Sequence, residues 1–314
     1  MAFLTEEEPP RGVALAVLPG IRRVVARNPS VMTYQGTNTY LLDGDDGLTV
    51  IDPGPADEVH VADVLRAAGD VPVRRIVLTH THSDHYGALP ALAAKTGAAV
   101  YGYKKSARRD FAPQFPLDDG DEVAGLKALF TPGHAADHLS FEYFVAGTGK
   151  ILFSGDHVMS WSSSIVSPPD GDMVAYYKSL ELLLGRDEVL YLGGHGPLLP
   201  KPRILVKELL DHRKMREASI LEAVKVQDWT VAELAAHLYH KVDFRLKMAA
   251  QRNVLAHLLK LEHEGIVKQA DGAAMEVPDD YVPDDLPPAD EKSIGKRDIE
   301  ILRRDAERRF VLVG

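Results

Sequence analysis

Nine consecutive residues hold most of the chemistry this chain can offer: Thr79-His80-Thr81-His82-Ser83-Asp84-His85-Tyr86-Gly87. Imidazole and carboxylate side chains are the ligands that zinc and its borderline neighbours prefer. The bland alternative is a histidine-rich surface loop that binds nothing. The flanks favour a ligand loop. The apolar run Val73 to Leu78 reads as a buried strand through Ile76, Val77 and Leu78, and the Ala/Leu-rich Ala88 to Thr96 reads as a helix. The histidines therefore sit at the C-terminal end of a strand, where α/β folds hold ligands. With no cysteine in the chain, a metal site must be built from histidine and carboxylate, and disulfides are excluded.

The same residue types recur at further strand ends and Gly-marked loops. Thr131-Pro132-Gly133-His134 is one, and Ser154-Gly155-Asp156 closes the apolar run Ile151 to Phe153. Gly193-Gly194-His195-Gly196-Pro197 follows Val189 to Leu192, and upstream Val50-Ile51-Asp52-Pro53-Gly54 ends another strand. Taken in order, this set resembles the metallo-β-lactamase superfamily, whose HxHxDH signature falls on His80, His82, Asp84 and His85.

The resemblance implies that His80, His82 and His134 hold one metal ion, that Asp84, His85 and His195 hold a second, and that Asp156 bridges the two. It implies two zinc ions per chain, with iron or manganese also compatible with such ligands. A metal-bridging hydroxide would then be the nucleophile, with no Ser or Cys needed, and Asp84 would be both ligand and catalytic residue, steering that hydroxide. Asp52 is expected to orient a ligand or to terminate its strand. His138 is expected to support the ligands or touch substrate, and Tyr34 and Asn38 to lie near the site on family likeness alone. His157 should turn away from it.

The fold expected from the pattern is α/β. Strand signals at 22–27, 38–42, 48–51, 98–101, 126–130, 139–144 and 151–153 alternate with helical spacing at 57–68 and 173–184. Two mixed sheets packed face to face under helices fit that order, and the resemblance names the architecture an αββα sandwich. From Ile204 the texture turns helical, with Leu205, Leu209, His212, Met215, Ile220 and Val224 roughly in register. Thr230-Val231-Ala232-Glu233 is a capping-box pattern, and Lys247 to Glu264 reads as another helix. Ile266-Val267-Lys268 and Met275-Glu276-Val277 flank Asp271-Gly272 as a candidate hairpin. Helices followed by a hairpin resemble a winged helix. The domains expected are a catalytic unit over 12–200, a winged-helix-like unit over 201–276, and an acidic, proline-rich linker with a helical tail over 277–314.

Composition narrows function. The net charge of −10 argues against a general polyanion binder, but residues 201–270 carry 13 Lys/Arg against 9 Asp/Glu. No apolar run approaches the length of a membrane span, and the start of the chain is acidic where a signal peptide would be basic, so a cytoplasmic protein without membrane contact is expected. Within the superfamily, the chain is similar to the β-lactamase-like endoribonuclease branch with a C-terminal winged helix. That implies cleavage of single-stranded RNA phosphodiesters. Two alternatives stand beside it: a thioester or ester hydrolase of the glyoxalase II or acyl-carrier thioesterase type, and a winged-helix DNA-binding protein carrying an inactive hydrolase. The partner is thus an anionic small molecule or single-stranded RNA, and a homodimer is possible. The second domain is expected to close over the cleft as a basic lid, because the prolines at 197, 200 and 202 tether it beside His195.

Overall fold

Strands that bury both faces need a layer on each side, and the chain supplies two sheets and two helical covers. The computed structural model describes residues 3–240, 243, 246–270 and 296–313. The first sheet places β1 (Leu15–Leu18), β2 (Ile21–Val25), β3 (Asn38–Leu42), β4 (Leu48–Ile51), β5 (Val73–Val77), β6 (Ala99–Tyr103) and β7 (Phe115–Leu117) side by side in that order. Its β1–β4 pairings are antiparallel and its β4–β7 pairings parallel. The second sheet takes β8 (Glu122–Val123), β9 (Leu126–Phe130), β10 (Leu139–Val145), β11 (Gly149–Gly155), β12 (Leu190–Gly193) and β13 (Leu199–Pro200), again in chain order.

Ile51 and Val77 from the first sheet meet Phe141, Phe153 and Leu192 from the second in the central core. Helix α1 (Glu58–Ala68) follows its Asp57 cap, α2 (Ser83–Tyr86) is a single turn, and α3 (Leu89–Thr96) ends at Gly97. Val61, Val64, Leu89 and Leu92 of α1 and α3 cover the outer face of the first sheet over Val50, Ile76 and Leu78. On the other side α4 (Met173–Leu184), capped by Asp172, and α5 (Pro202–Val226) cover the second sheet, with Tyr176, Leu180, Leu205 and Leu209 on Leu152 and Tyr191. This is the expected αββα sandwich. The loops after β4, β5, β11 and β12 leave by one edge, which brings Asp52, the His80 loop, Asp156 and His195 together.

The second domain is a small winged helix. It contains α6 (Val231–Leu238), opened by the expected Thr230/Glu233 capping box, α7 (Lys247–His263) and α8 (Lys296–Ala306). A three-stranded sheet of β14 (Trp229–Thr230), β15 (Val267–Gln269) and β16 (Arg309–Leu312) has β16 in the middle. Helix α5, about 38 Å long at 1.5 Å per residue, belongs to both cores: Leu205, Leu209 and Leu210 pack in the catalytic domain, Ile220 and Val224 in the second. The two domains thus share a continuous helix rather than a linker.

Three sequence expectations change here. The expected pairing partner of 266–268, Met275 to Val277, lies outside the described residues; among the described residues β15 pairs with β16, Val267 opposite Leu312. The boundary drawn at 276 therefore cuts the second domain short, because its core needs Phe310, which is fully buried between β14 and β15. On α5 the inward stripe runs 205–209–213, so Arg213, 3% exposed, takes the position expected of His212 or Met215, and Met215 is 56% exposed. Finally, α7 buries ten of its 17 residues, including Arg252, His257 and Lys260, and is no free groove-reading helix. Among the described residues, no helix is long and apolar enough to cross a membrane.

Candidate metal centre

His80 follows β5, and α2 turns the chain so that His82, Asp84 and His85 face the same space. His134 enters from the loop after β9. His82 Nδ1 lies 3.1 Å from His80 Nε2 and 3.0 Å from His134 Nε2. The far nitrogen of each ring is already engaged. His82 Nε2 faces Asp170 Oδ2 at 2.9 Å and His134 Nδ1 faces the Ile165 carbonyl at 2.8 Å, both acceptors, so each of these nitrogens carries the proton. Thr79 Oγ1 donates to Asp52 Oδ2 at 2.7 Å, leaving it to accept from His80 Nδ1 at 2.9 Å. Three lone pairs are thereby aimed at one another at hydrogen-bond distance with no proton between them. A cation resolves that arrangement, and three imidazoles with fixed tautomers are a metal's ligand set.

The second group meets beside it. Asp52 adopts a left-handed backbone (φ 52°) at the end of β4 and accepts from Thr79 N at 2.7 Å, with its Oδ2 2.9 Å from His85 Nδ1. His85 Nε2 lies 3.5 Å from both Asp84 Oδ2 and Asp156 Oδ1. The buried His85 Nε2 and Asp156 Oδ1 have no hydrogen-bond partner. His195 Nε2 lies 3.0 Å from Asp84 Oδ2 and 3.2 Å from Asp156 Oδ2, with Nδ1 against the Gly36 carbonyl. Asp156 Oδ2 is also 3.9 Å from His134 Nε2, so this carboxylate stands between the two groups. Three sets of potential ligand atoms cluster here: His80/His82/His134, His80/His85/Asp156 and Asp84/His85/His195. Gly194 is required for the approach, since a Cβ there would collide with Asp156 Oδ1.

The electrostatics of the two groups are opposite. Burial, with the neighbouring His85, His82 and His134, holds His80 well below the usual histidine range, and burial and His82 lower His134 to about 4. Those rings stay neutral at pH 7, the form that binds metal. In the other group burial again opposes charging, yet Asp156 and Asp84 raise His195 to about 10, and Asp84, Asp156 and Asp52 raise His85 well above its ordinary value. Two carboxylates facing two imidazoles make a site that demands positive charge. The residues fit divalent metal.

The supporting residues are less uniform than expected. His138 is fully buried behind His80, its ring centroid 5.2 Å away and its Nδ1 2.9 Å from Thr131 Oγ1, so it faces no substrate. Asn38 is buried too, and its amide donates to the Gly193 and Gly196 carbonyls at 3.0 and 2.9 Å, fixing the His195 loop. Tyr34 is half-buried against Trp161 at 5.1 Å and bonds Glu6. His157 turns away into the core against Tyr176, where burial lowers it to about 3. Sequence reasoning missed Asp170 and the Ile165 carbonyl, which no spacing marks. It also missed Asp137, which accepts from Thr81 Oγ1 at 2.6 Å and Ala107 N at 2.9 Å and so ties the loop after β6 to the histidine loop. That loop holds Lys104-Lys105 and Arg108-Arg109, a visible basic run. Lys104 pairs with Asp118 and Arg108 with Asp110 while its guanidinium lies 4.9 Å over the Tyr86 ring; Lys105 and Arg109 are exposed.

The fold and this constellation define a metallo-hydrolase. The sequence matches the Metallo-beta-lactamase superfamily over residues 32–195 and the Beta-lactamase associated winged helix domain over residues 230–274. The chain belongs to the metallo-β-lactamase superfamily and is a hydrolase of that fold, which implies divalent metal binding. A Beta-lactamase-like protein 2 homolog of Caenorhabditis elegans is 30% identical, over 85% of this chain and 91% of that protein. An atrochrysone carboxyl ACP thioesterase of Aspergillus chevalieri is 31% identical over 69% of this chain and 70% of its own. Among solved structures, a metallo-beta-lactamase family protein from Thermus thermophilus superposes with a TM-score of 0.69 at 26% identity, covering 81% of this chain and 97% of that one.

Proposed function

We propose that this hydrolase holds two metal ions, with zinc first among the candidates, and cleaves phosphodiester bonds of single-stranded RNA. The observation that carries the reading is the convergence of His80, His82, His134, Asp84, His85, His195 and Asp156 on one space, with the tautomers of the histidines set from behind. Metal ions in such a site polarise a phosphoryl or carbonyl oxygen and lower the pKa of water from about 15.7 towards about 7. The protein's own part is placement. Asp84, at the mouth with 12% of its side chain exposed, is the carboxylate able to orient attacking water. Asp156 and Asp52 lie deeper and hold position. No side-chain nucleophile is called for: the chain lacks cysteine, and Ser164 Oγ donates into the Asp156 and His157 carbonyls.

The substrate class follows from charge near the mouth. Among the described residues, several basic side chains of the second domain are paired: Lys207 with Asp211, Lys214 with Glu181, Lys225 with Glu222, Lys260 with Glu217, Arg252 with Asp305. These paired cations add little to a basic lid. The loop after β6 supplies charge instead, with Lys105 and Arg109 exposed at the strand-end edge that carries the site. An exposed cation pair beside a hydrolytic centre suits a nucleic-acid backbone.

The second reading, hydrolysis of an acyl thioester, is favoured by the thioesterase relative, which matches through the catalytic domain. The DNA-binding reading has the burial of α7 against it. The test is turnover of labelled single-stranded RNA and of an acyl-thioester by the same zinc-loaded protein. RNA cleavage with no thioester turnover supports the proposal; thioester turnover alone replaces it with the second reading.

A further inference from the structure

The segment between β11 and α4 has no regular secondary structure, so its backbone polar groups need partners from elsewhere. On one side those partners belong to the metal centre: the Ile165 carbonyl holds His134 Nδ1, and the Asp170 carboxylate holds His82 Nε2 while accepting from Ala136 N at 2.9 Å. On the other side they belong to the second domain. Asn253 Oδ1 of α7 accepts from Val166 N at 3.2 Å and from Arg213 at 2.8 Å, and the other end of the Arg213 fork donates to the Ser164 carbonyl. Arg252 Nε donates to Ser167 Oγ at 3.0 Å, and the same guanidinium is held by buried Asp305 of α8 at 2.7 Å. The Asn253 amide is oriented from its own helix, donating to the Ala249 carbonyl at 3.0 Å.

Resting on the metal-site reading above, we propose that the winged-helix domain is a positioning device for the three-histidine group. Arg213, Asn253 and Arg252 fix residues 164–170, and through Ile165 and Asp170 they fix the tautomers and aim of His134 and His82. Two buried arginines at positions where helices normally place leucine are costly unless their donors are used. Here one donor of each arginine goes to one irregular segment, and that segment makes two of the three outer contacts of one ligand group. His85 and His195 receive theirs from Asp52 and Gly36 instead, within the catalytic domain. The consequence is selective. Loosening the clamp should weaken one metal position and spare the other, because ligands must be held within about 0.5 Å of their productive geometry.

The test uses full-length Asn253→Ala and Asn253→Asp proteins, stripped of metal and titrated with Zn²⁺ against a chromophoric chelator. Cobalt-loaded visible spectra and thermal midpoints are recorded alongside. Asn253→Ala is expected to lose about 10–100-fold in affinity at one of two positions, the range typical of outer contacts to metal ligands, with a changed cobalt spectrum. Asn253→Asp, which keeps the acceptor but loses the bond to the Ala249 carbonyl, should lose less than Asn253→Ala. If Asn253→Ala does not fold, Ser167→Ala removes the Arg252 contact at a half-buried hydroxyl and should show the same selective loss. Variants that melt lower but bind both ions as wild type does would overturn the inference alone. A wild-type chain that takes up no Zn²⁺ would overturn the metal-site reading as well.

Discussion

Replacing Asp170 by Asn should damage the metal centre more than replacing it by Ser. Asp170 Oδ1 accepts from Ala136 N at 2.9 Å and Oδ2 lies 2.9 Å from His82 Nε2, in a position 8% exposed. An asparagine of the same shape must turn its oxygen to the Ala136 N–H, since its NH₂ there would meet another donor. Its NH₂ then points at His82 Nε2, which must become the acceptor. The proton moves to His82 Nδ1, the atom aimed at His80 Nε2 and His134 Nε2, and a lone pair needed for the metal is lost. Serine merely shortens the side chain and leaves the tautomer free. Loss of an outer contact costs about 10–100-fold in metal affinity, or about 1.4–2.7 kcal/mol; Asp170→Asn should reach or exceed the top of that range, Asp170→Ser the bottom. Calorimetric Zn²⁺ titration of the stripped proteins measures both. Equal affinity in the two variants, or tighter binding by Asp170→Asn, would refute the tautomer argument.

Three further outcomes are expected. Asp84→Ala should reduce turnover to background while leaving the fold intact, because Asp84 lies at the mouth and carries chemistry rather than packing; activity above a few per cent of wild type would sink the water-orienting role. Lys105→Ala combined with Arg109→Ala should raise KM for single-stranded RNA and reduce the salt slope of binding by about 1.4, two cations at roughly 0.7 each. An unchanged slope, seen by binding titration across salt concentrations, would place the strand elsewhere. Against a burial that raises it, bonds from His257 and Lys260 hold Glu217 below its ordinary 4.5. A depressed carboxylate stabilises the fold above its unfolded value, about 4.5, and that stability is lost as pH falls through the folded value. Glu217→Gln should therefore melt at a lower temperature than wild type at pH 7, the gap closing on acidification; parallel melting curves from pH 7 to 3 would contradict this.

The ligand set is legible in the sequence because each member sits where an apolar strand ends in Gly, Asp or His, and strand ends converge by topology. Asp52 can be read only as one of two things, since nothing in Val50-Ile51-Asp52-Pro53-Gly54 tells an orienting carboxylate from a turn former; its left-handed backbone and three contacts decide it. Asp170 is invisible to such reading. It lies 88 residues from His82, in a loop whose path depends on the second domain. The pairing of β15 with β16 is not legible in sequence, because that partner arrives from residue 309 onwards, beyond the reach of local pattern.

Charge counting misleads in an instructive way. An excess of 13 basic over 9 acidic residues in 201–270 suggests a surface for an anion, but counting ignores burial. Arg213, Arg252 and Lys260 are all under 9% exposed and bonded to groups of the protein, so they join its elements and attract nothing from outside. Lys105 and Arg109 are exposed on the loop after β6, in a domain whose overall charge is negative. A domain can be acidic in sum and still present cations where its substrate enters, because attraction at close range depends on the nearest exposed charges and distant ones are screened within about 8 Å at physiological salt. On the proposed reading, the second domain contributes to hydrolysis by holding His82 and His134 in place, and the catalytic domain does its own recruiting.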